Sequence, residues 1–246
     1  MINVLIPMAG KSQYFSENDY PFPKPLIEIG AKTVIEHVIA NLATAGDGVR
    51  FIFVLSSEDC RKFHLDNTLN ILTDHRFKII RLDHETQGAA CSALMAIDDI
   101  GNETPLIIAN ADQIFEDRIC DLTNHFHDHD AGVVTFESVH PRWSYVRLND
   151  KQEVIETAEK RPLSKHAIAG LYYFRQGNYF VKAAMRMIQK DSSTNGLFFI
   201  SPCLNELILD GKKIKAHHIE TQRYHTFYTP QKLKEYEALL LRQSAG

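Results

Sequence analysis

Cysteine is scarce and scattered in this chain. Cys60, Cys91, Cys120 and Cys203 are its four cysteines, and no two of them stand in a C-x-x-C spacing. The pattern argues for reduced, mostly buried thiols in a cytoplasmic protein, and nothing in it supports a disulfide pair. No apolar run reaches membrane length, so no spanning segment is expected. The N-terminus has neither a charged n-region nor a cleavage site, which argues against a signal peptide. Positive charge is not in excess either. A formal net charge of −4 argues against a nucleic-acid partner, because polyanion binders usually carry a basic face. Long Pro/Gly/Ser linkers and internal repeats are also missing. At 246 residues the chain is expected to form one domain over 1–246 with a full core.

What is present is an alternation. Apolar, β-branched runs predict strands over Val4–Ile6, Phe51–Leu55, Lys78–Leu82, Leu106–Ala109, Gly132–Glu137, Tyr145–Leu148, Ile168–Phe174 and Lys215–Ile219. Amphipathic segments predict helices over Val34–Ala45, Glu58–Leu72, Gly88–Ile97, Asp117–Asp128, Gly177–Gln189, Pro202–Asp210 and Pro230–Arg242. The βαβα order of the first half implies an α/β fold with a mostly parallel sheet. The stretch from Gly132 to Glu156 reads as an antiparallel or mixed extension. In such folds ligands sit beyond the carboxyl ends of the strands.

The opening MINVLIPMAGKSQYFSENDYPFPKPLIEIG organises the rest. A buried strand is followed by a small-residue turn, Pro7 to Ser12. Gly10-Lys11-Ser12 looks like the end of a P-loop, but the Gly that motif needs five residues before its Gly-Lys pair is Leu5 here. No G-x-G-x-x-G follows a strand, so the ATPase and dinucleotide readings are weak. Pro21, Pro23 and Pro25 flank Lys24 and predict a stiff, extended backbone presenting a point charge suited to phosphate.

Pro7-Met8-Ala9-Gly10, Phe15, Tyr20 and Pro23-Lys24-Pro25-Leu26-Ile27 together resemble the opening of the sugar-phosphate nucleotidyltransferases, which include nucleoside-diphosphate-sugar pyrophosphorylases. The resemblance implies that Met8, Ala9, Gly10, Lys11 and Ser12 wrap a nucleoside triphosphate and that Lys24 binds its phosphates. The usual loop continues with a second Gly and an Arg. Those places read Ser12, Gln13 and Tyr14 here.

Later blocks extend the likeness to about Tyr236. Asp112 closes the apolar run Leu106–Ala109, where a carboxylate at a strand end suits Mg²⁺ shared with substrate phosphates. An Asp that merely caps the next turn is the plainer alternative. The resemblance makes Asp112 the metal ligand. Gln87-Gly88, opening a run of Ala and Ser, is implied to read the base; tight helix packing is the ordinary reading of the same residues. Glu159, Lys160, Gly170 and Tyr172 match an acceptor pocket, with Lys160 on the acceptor phosphate. Thr226 stands where the family usually has a second metal Asp. Glu206, Glu220 and His225 are the candidates to replace it. Thr229-Pro230 predicts a capped start to the last helix.

His125, His127 and His129 resemble a metal cluster but read better as a solvated helix end, and His217 and His218 should point to opposite sheet faces.

By resemblance the fold is Rossmann-like, of nucleotidyltransferase or GT-A type, without a C-terminal β-helix. The implied activity is Mg²⁺-dependent transfer of a nucleotidyl group from a nucleoside triphosphate, CTP or dTTP favoured, to a phosphorylated small molecule. The implied setting is synthesis of a surface or capsule polysaccharide precursor, and self-association is left open. Two other classes stay open. Asn110-Ala111-Asp112 partly matches the Asp-x-Asp of nucleotide-sugar glycosyltransferases. The missing Arg and second Asp suit a non-catalytic nucleotide sensor.

Overall fold

The computed structural model describes residues 1–12, 14–16 and 18–244. Gln13, one of the loop positions compared above, lies outside the described residues. In chain order the elements are β1 (Ile2–Pro7), β2 (Glu28–Ile29), β3 (Lys32–Thr33), α1 (Val34–Leu42), β4 (Val49–Ser56), α2 (Ser57–Phe63), α3 (Leu65–Leu72), β5 (Phe77–Leu82), α4 (Ala89–Leu94), α5 (Ile97–Ile100), β6 (Leu106–Ala109), β7 (Gln113–Phe115), α6 (Ile119–Asn124), β8 (Ala131–Glu137), β9 (Ser144–Leu148), β10 (Val154–Glu159), β11 (His166–Phe174), α7 (Gly177–Gln189), α8 (Cys203–Leu209), β12 (Ile214–His218), β13 (Tyr224–Thr226) and α9 (Pro230–Ser244).

The central sheet runs β10-β9-β11-β6-β1-β4-β5, with β8 against β11 and β12 against β8. β6, β1, β4 and β5 are parallel. β11 runs antiparallel to β6, and β8, β9 and β10 continue antiparallel. The expected mixed, mostly parallel sheet is therefore the one found. Strand composition explains the layering. Val4, Ile6, Phe51, Phe53 and Leu55 face one core, while Leu5, Ile52 and Val54 face the other. Strands buried on both faces need nearly continuous apolar residues, which is how β6 reads throughout and how β1 and β4 read apart from Asn3, Arg50 and Ser56.

Several boundaries differ from expectation. The helix expected over Glu58–Leu72 is two helices, because His64 takes φ of 52°. Its N–H still donates to the Cys60 carbonyl, so it closes α2 and opens α3. The Gly88–Ile97 helix is split into α4 and α5. Asp117–Asp128 contributes only α6, and the last turn of Val34–Ala45 is a 3₁₀ turn, Ala43–Ala45. β2, β3, β7, β10 and β13 are additional. They are short or, in β10, broken by charged residues, so an apolar pattern does not mark them.

One irregularity positions the site. β11 shifts register between Ile168 and Tyr172, and Gly170 within that bulge has φ of +62°. Leu171 pairs with Ala109, so the bulge sits at the carboxyl end of β6. The loops after β1, β5 and β6 open at this same end of the parallel strands.

Candidate active site

Lys24 and Asp112 meet at that end. Lys24 Nζ donates to Asp112 Oδ2 at 2.6 Å, with side chains 19% and 22% exposed. Lys24 does not lie on the extended backbone that the prolines suggest; it opens a 3₁₀ turn, Lys24–Leu26. Pro23 is the extended residue (φ −63°, ψ 152°), and its carbonyl accepts the Leu26 N–H at 2.8 Å. Pro25 tolerates the turn because its first positions need no N–H. The effect is to aim the ammonium at the end of β6.

Asp112 is held from behind. Its carbonyl accepts the Phe227 N–H at 2.7 Å. β7 and β13 pair so that Thr226 stands opposite Gln113. Thr226 therefore lies near the Lys24–Asp112 pair, bringing a hydroxyl and no charge. Gln113 is buried. Its Nε2 donates to the Gly170 carbonyl at 2.8 Å, and its Oε1 accepts from Tyr224 Oη at 2.7 Å and Asn110 Nδ2 at 3.3 Å. Burial, and after it the nearby Asp112 carboxylate, push the Tyr224 phenol well above its usual range, so it remains a neutral donor. A side chain at Gly170 would collide with the amides of Asn110 and Gln113. Sequence reasoning missed Asn110 as a support, and Gln113 and Tyr224 altogether; a Gln three residues after Asn110 gives no motif to find.

The loop after β1 is anchored at one end and open at the other. Met8 donates its N–H to the Val54 carbonyl at 2.9 Å and is buried. Ala9 packs on the second core. Apart from its chain neighbours, no atom of the described residues comes within 4 Å of where a Gly10 Cβ would stand, and Lys11 is exposed. Ser12 is half-buried. Farther along, Phe15 packs edge-on to Tyr20 at 5.0 Å, while Tyr14 is exposed.

Gly88 has φ of 108° and touches the backbone of Phe198. The Gln87 carbonyl accepts the Phe198 N–H at 2.8 Å, and Ala90 N–H donates to the Phe198 carbonyl at 3.0 Å. One of the N–H groups expected to be free at this helix start is therefore taken. The Gln87 residue itself is exposed beyond the end of β5.

Glu159, Lys160 and Tyr172 gather on the β9–β10–β11 side. Glu159 accepts from Ser144 Oγ and from Ser201 Oγ, the latter at 2.8 Å. Burial raises the Glu159 carboxyl above its usual range, against the lowering effect of both hydroxyls and Lys160. Tyr172 is buried beside this group, opposite Ile108 of β6. Burial, and next the Glu159 charge, raise its phenol. Lys160 is exposed, has φ of 54°, and lies 4.7 Å over the Phe199 ring. Its N–H donates to the Trp143 carbonyl at 3.1 Å.

The three candidate substitutes for a second metal carboxylate are each engaged elsewhere. Glu206 is buried and paired with Lys190 at 2.7 Å. Glu220 accepts from Gln222, and His225 faces Glu116 at 3.0 Å. Among the described residues no group of three His, Cys, Asp or Glu could hold a metal. The histidine run is not a helix face. His125 caps α6 and stacks on His217 at 3.8 Å, while His218 meets His166. His217 and His218 thus point to opposite faces, as expected. All four cysteines are free. No helix among the described residues is long and apolar enough to cross a membrane.

The model for the MobA-like NTP transferase domain matches residues 4–175, well over half of the chain. The chain belongs to this NTP transferase family. The expected family is the one found, and its curated relatives are distant. One is the bifunctional protein GlmU of Methanocaldococcus jannaschii, 27% identical over 177 residues, covering 70% of this chain and 40% of that protein. Another is the low-salt glycan biosynthesis nucleotidyltransferase Agl11 of Haloferax volcanii, 25% identical over 204 residues, covering 80% and 55%. The chain thus spans about half the length of the curated relatives it matches. A nucleoside-diphosphate-sugar pyrophosphorylase of Vibrio cholerae RC9 superposes with a TM-score of 0.81 at 24% identity, covering 96% of this chain and 99% of that one. That likeness establishes the shared nucleotidyltransferase fold.

Proposed function

We propose that this NTP transferase domain moves a nucleotidyl group from a nucleoside triphosphate to a phosphorylated small molecule, a sugar phosphate or similar, in surface-polysaccharide precursor synthesis. The observation that carries the reading is the Lys24–Asp112 pair at the carboxyl end of β6, 2.6 Å apart and half-buried. An ammonium suited to phosphate and a carboxylate suited to a metal standing where open α/β sheets bind nucleotides support this reading.

The proposed step balances as follows. An acceptor phosphate oxygen forms a bond to the α-phosphorus. The bond from that phosphorus to the bridging oxygen breaks, and pyrophosphate leaves with the electron pair. Such a reaction needs positioning and charge neutralisation more than covalent help from the protein. Lys24 neutralises charge at the α-phosphate. Lys160 takes the acceptor phosphate, while Glu159, fixed by Ser144 and Ser201, accepts from acceptor hydroxyls together with the Gly170 and Tyr172 wall. Met8 to Ser12 enclose the triphosphate, and Gln87 with Gly88 meet the base. CTP and dTTP are the favoured donors.

The donor set suits Mg²⁺ that arrives with the nucleotide. Oδ2 of Asp112 is taken by Lys24, leaving Oδ1. Mg²⁺ typically uses one or two carboxylates, substrate phosphates and waters, so one oxygen is sufficient on the protein side. When bound, the ion supplies charge for the α-phosphate and leaving group. The runner-up reading, a nucleotide binder without turnover, is favoured by Thr226 standing where a second carboxylate would help.

The test is pyrophosphate release with Mg²⁺, using the common nucleoside triphosphates against phosphorylated sugars, amino acids and choline phosphate. Release with one pair is the expected result and names both substrates. Triphosphate binding with no release across the panel supports the binder. Tight binding of a nucleotide sugar alone refutes nucleotidyl transfer and favours a glycosyltransferase.

A further inference from the structure

Arg142 stands in the turn between β8 and β9, half-buried. Its guanidinium carbon lies 3.5 Å from the centre of the Tyr228 ring and 5.6 Å from that of Trp143. Trp143 and Tyr228 meet edge to face at 6.1 Å, and Tyr14, on the loop after β1, meets Tyr228 at 6.2 Å. The cation thus lies over the Tyr228 and Trp143 rings, and Tyr14, from a third segment, packs on Tyr228.

This box is built on the segments that hold Asp112 in place. Tyr228 follows Phe227, whose N–H holds the Asp112 carbonyl. Trp143 packs on Tyr224, whose hydroxyl holds Gln113 beside Asp112. The described arginines fall into two groups, and Arg142 shares with Arg76 and Arg118 the lack of a carboxylate partner. Arg50, Arg81, Arg147 and Arg186 each meet a carboxylate. Among the described residues Arg142 meets none. Stacking uses the face of a guanidinium and fixes its plane, while the in-plane N–H donors stay free for two phosphate oxygens at once. Charge points the same way. A triphosphate carries more negative charge than Lys24 and one Mg²⁺ together offset, so a further cation in this cleft has a role.

We propose that Arg142 grips the β- and γ-phosphates of the nucleoside triphosphate and holds them as pyrophosphate departs. This deepens the nucleotidyl-transfer reading and rests on it. Tyr228 and Trp143 position the guanidinium, and Tyr14 closes the box from the loop side.

The test is calorimetric titration of the full chain with a nucleoside triphosphate and with the matching monophosphate. Arg142→Ala should lose tenfold or more in triphosphate affinity and leave monophosphate affinity unchanged. Arg142→Lys, which keeps the charge but not the paired donors, should recover part of the loss. Matching melting curves for wild type and variants separate a binding loss from a folding loss. Equal triphosphate affinity in Arg142→Ala and wild type overturns the assignment, as does an equal loss toward the monophosphate. If the wild-type chain binds no triphosphate at all, the nucleotidyl-transfer reading falls and takes this one with it.

Discussion

Replacing Gly88 with Ala tests how the turn into α4 is built. At φ of 108° and ψ of 173° the residue occupies a region almost confined to glycine. An added Cβ would stand 2.7 Å from the Phe198 nitrogen and closer still to its carbonyl oxygen. These are backbone atoms and cannot rotate away. Backbone strain of this kind costs about 1–3 kcal/mol. Pushing the two segments apart also sacrifices the Phe198–Gln87 and Ala90–Phe198 hydrogen bonds, about 1 kcal/mol each. The sum is about 3–5 kcal/mol, which lowers Tm by roughly 10 °C in a chain of this size. Gly10→Ala is the control, since apart from its chain neighbours no atom of the described residues lies within 4 Å of where its methyl group would stand, and stability should change by less than about 0.5 kcal/mol. Thermal melts and guanidinium titrations of both variants decide the matter. A Gly88→Ala protein that melts within about 2 °C of wild type would refute the argument, since even 1 kcal/mol shifts Tm by that much.

Lys24→Ala should weaken triphosphate binding about 10–100-fold, the worth of one charged hydrogen bond, and unchanged affinity in a titration would reduce Lys24 to a structural lysine. Asp112→Asn should lower Mg²⁺-dependent turnover by about 10²–10³, the usual cost of losing one preorganised charge, and full turnover with normal metal dependence would remove Asp112 as the ligand. Glu159→Gln should raise Tm more at pH 8 than at pH 4.5. The folded carboxyl is raised by burial, so its ionisation costs stability as pH climbs through the folded pKa, and the Gln variant escapes that cost. A Tm gain that is flat across this range, or larger in acid, would contradict the burial argument.

Much of the sheet was legible because its strands are buried on both faces and must be nearly continuously apolar. Leu106–Ala109 and Gly177–Gln189 fall on their expected bounds. The failures share a cause. His64 breaks a helix by taking left-handed backbone, which leaves no periodic trace in the sequence. β13 and β7 are three-residue strands that exist only because they pair with each other, across more than a hundred residues of sequence. In the site, Lys24 and Asp112 were legible as residues, but their direct pairing was not. The proline frame suggested stiffness and gave the wrong local shape. Gln113, Tyr224, Ser144 and Ser201 stayed hidden because supporting hydrogen bonds depend on what the fold brings opposite, not on spacing. The substitutes named for a second carboxylate failed for the same reason.

β11 has a consequence for how the molecule breathes. It is hydrogen-bonded to β6, β8 and β9, and its bulge carries the carbonyl that ties Asn110 and Gln113. The wall formed by Gly170 and Tyr172 is therefore in the middle of the sheet, not on a flap. Backbone amides of Leu171 to Phe174 should exchange with solvent deuterium only through global unfolding, while Gly10 to Ser12 exchange through local opening. Adaptation to a substrate then falls to the loops around a joint that does not move.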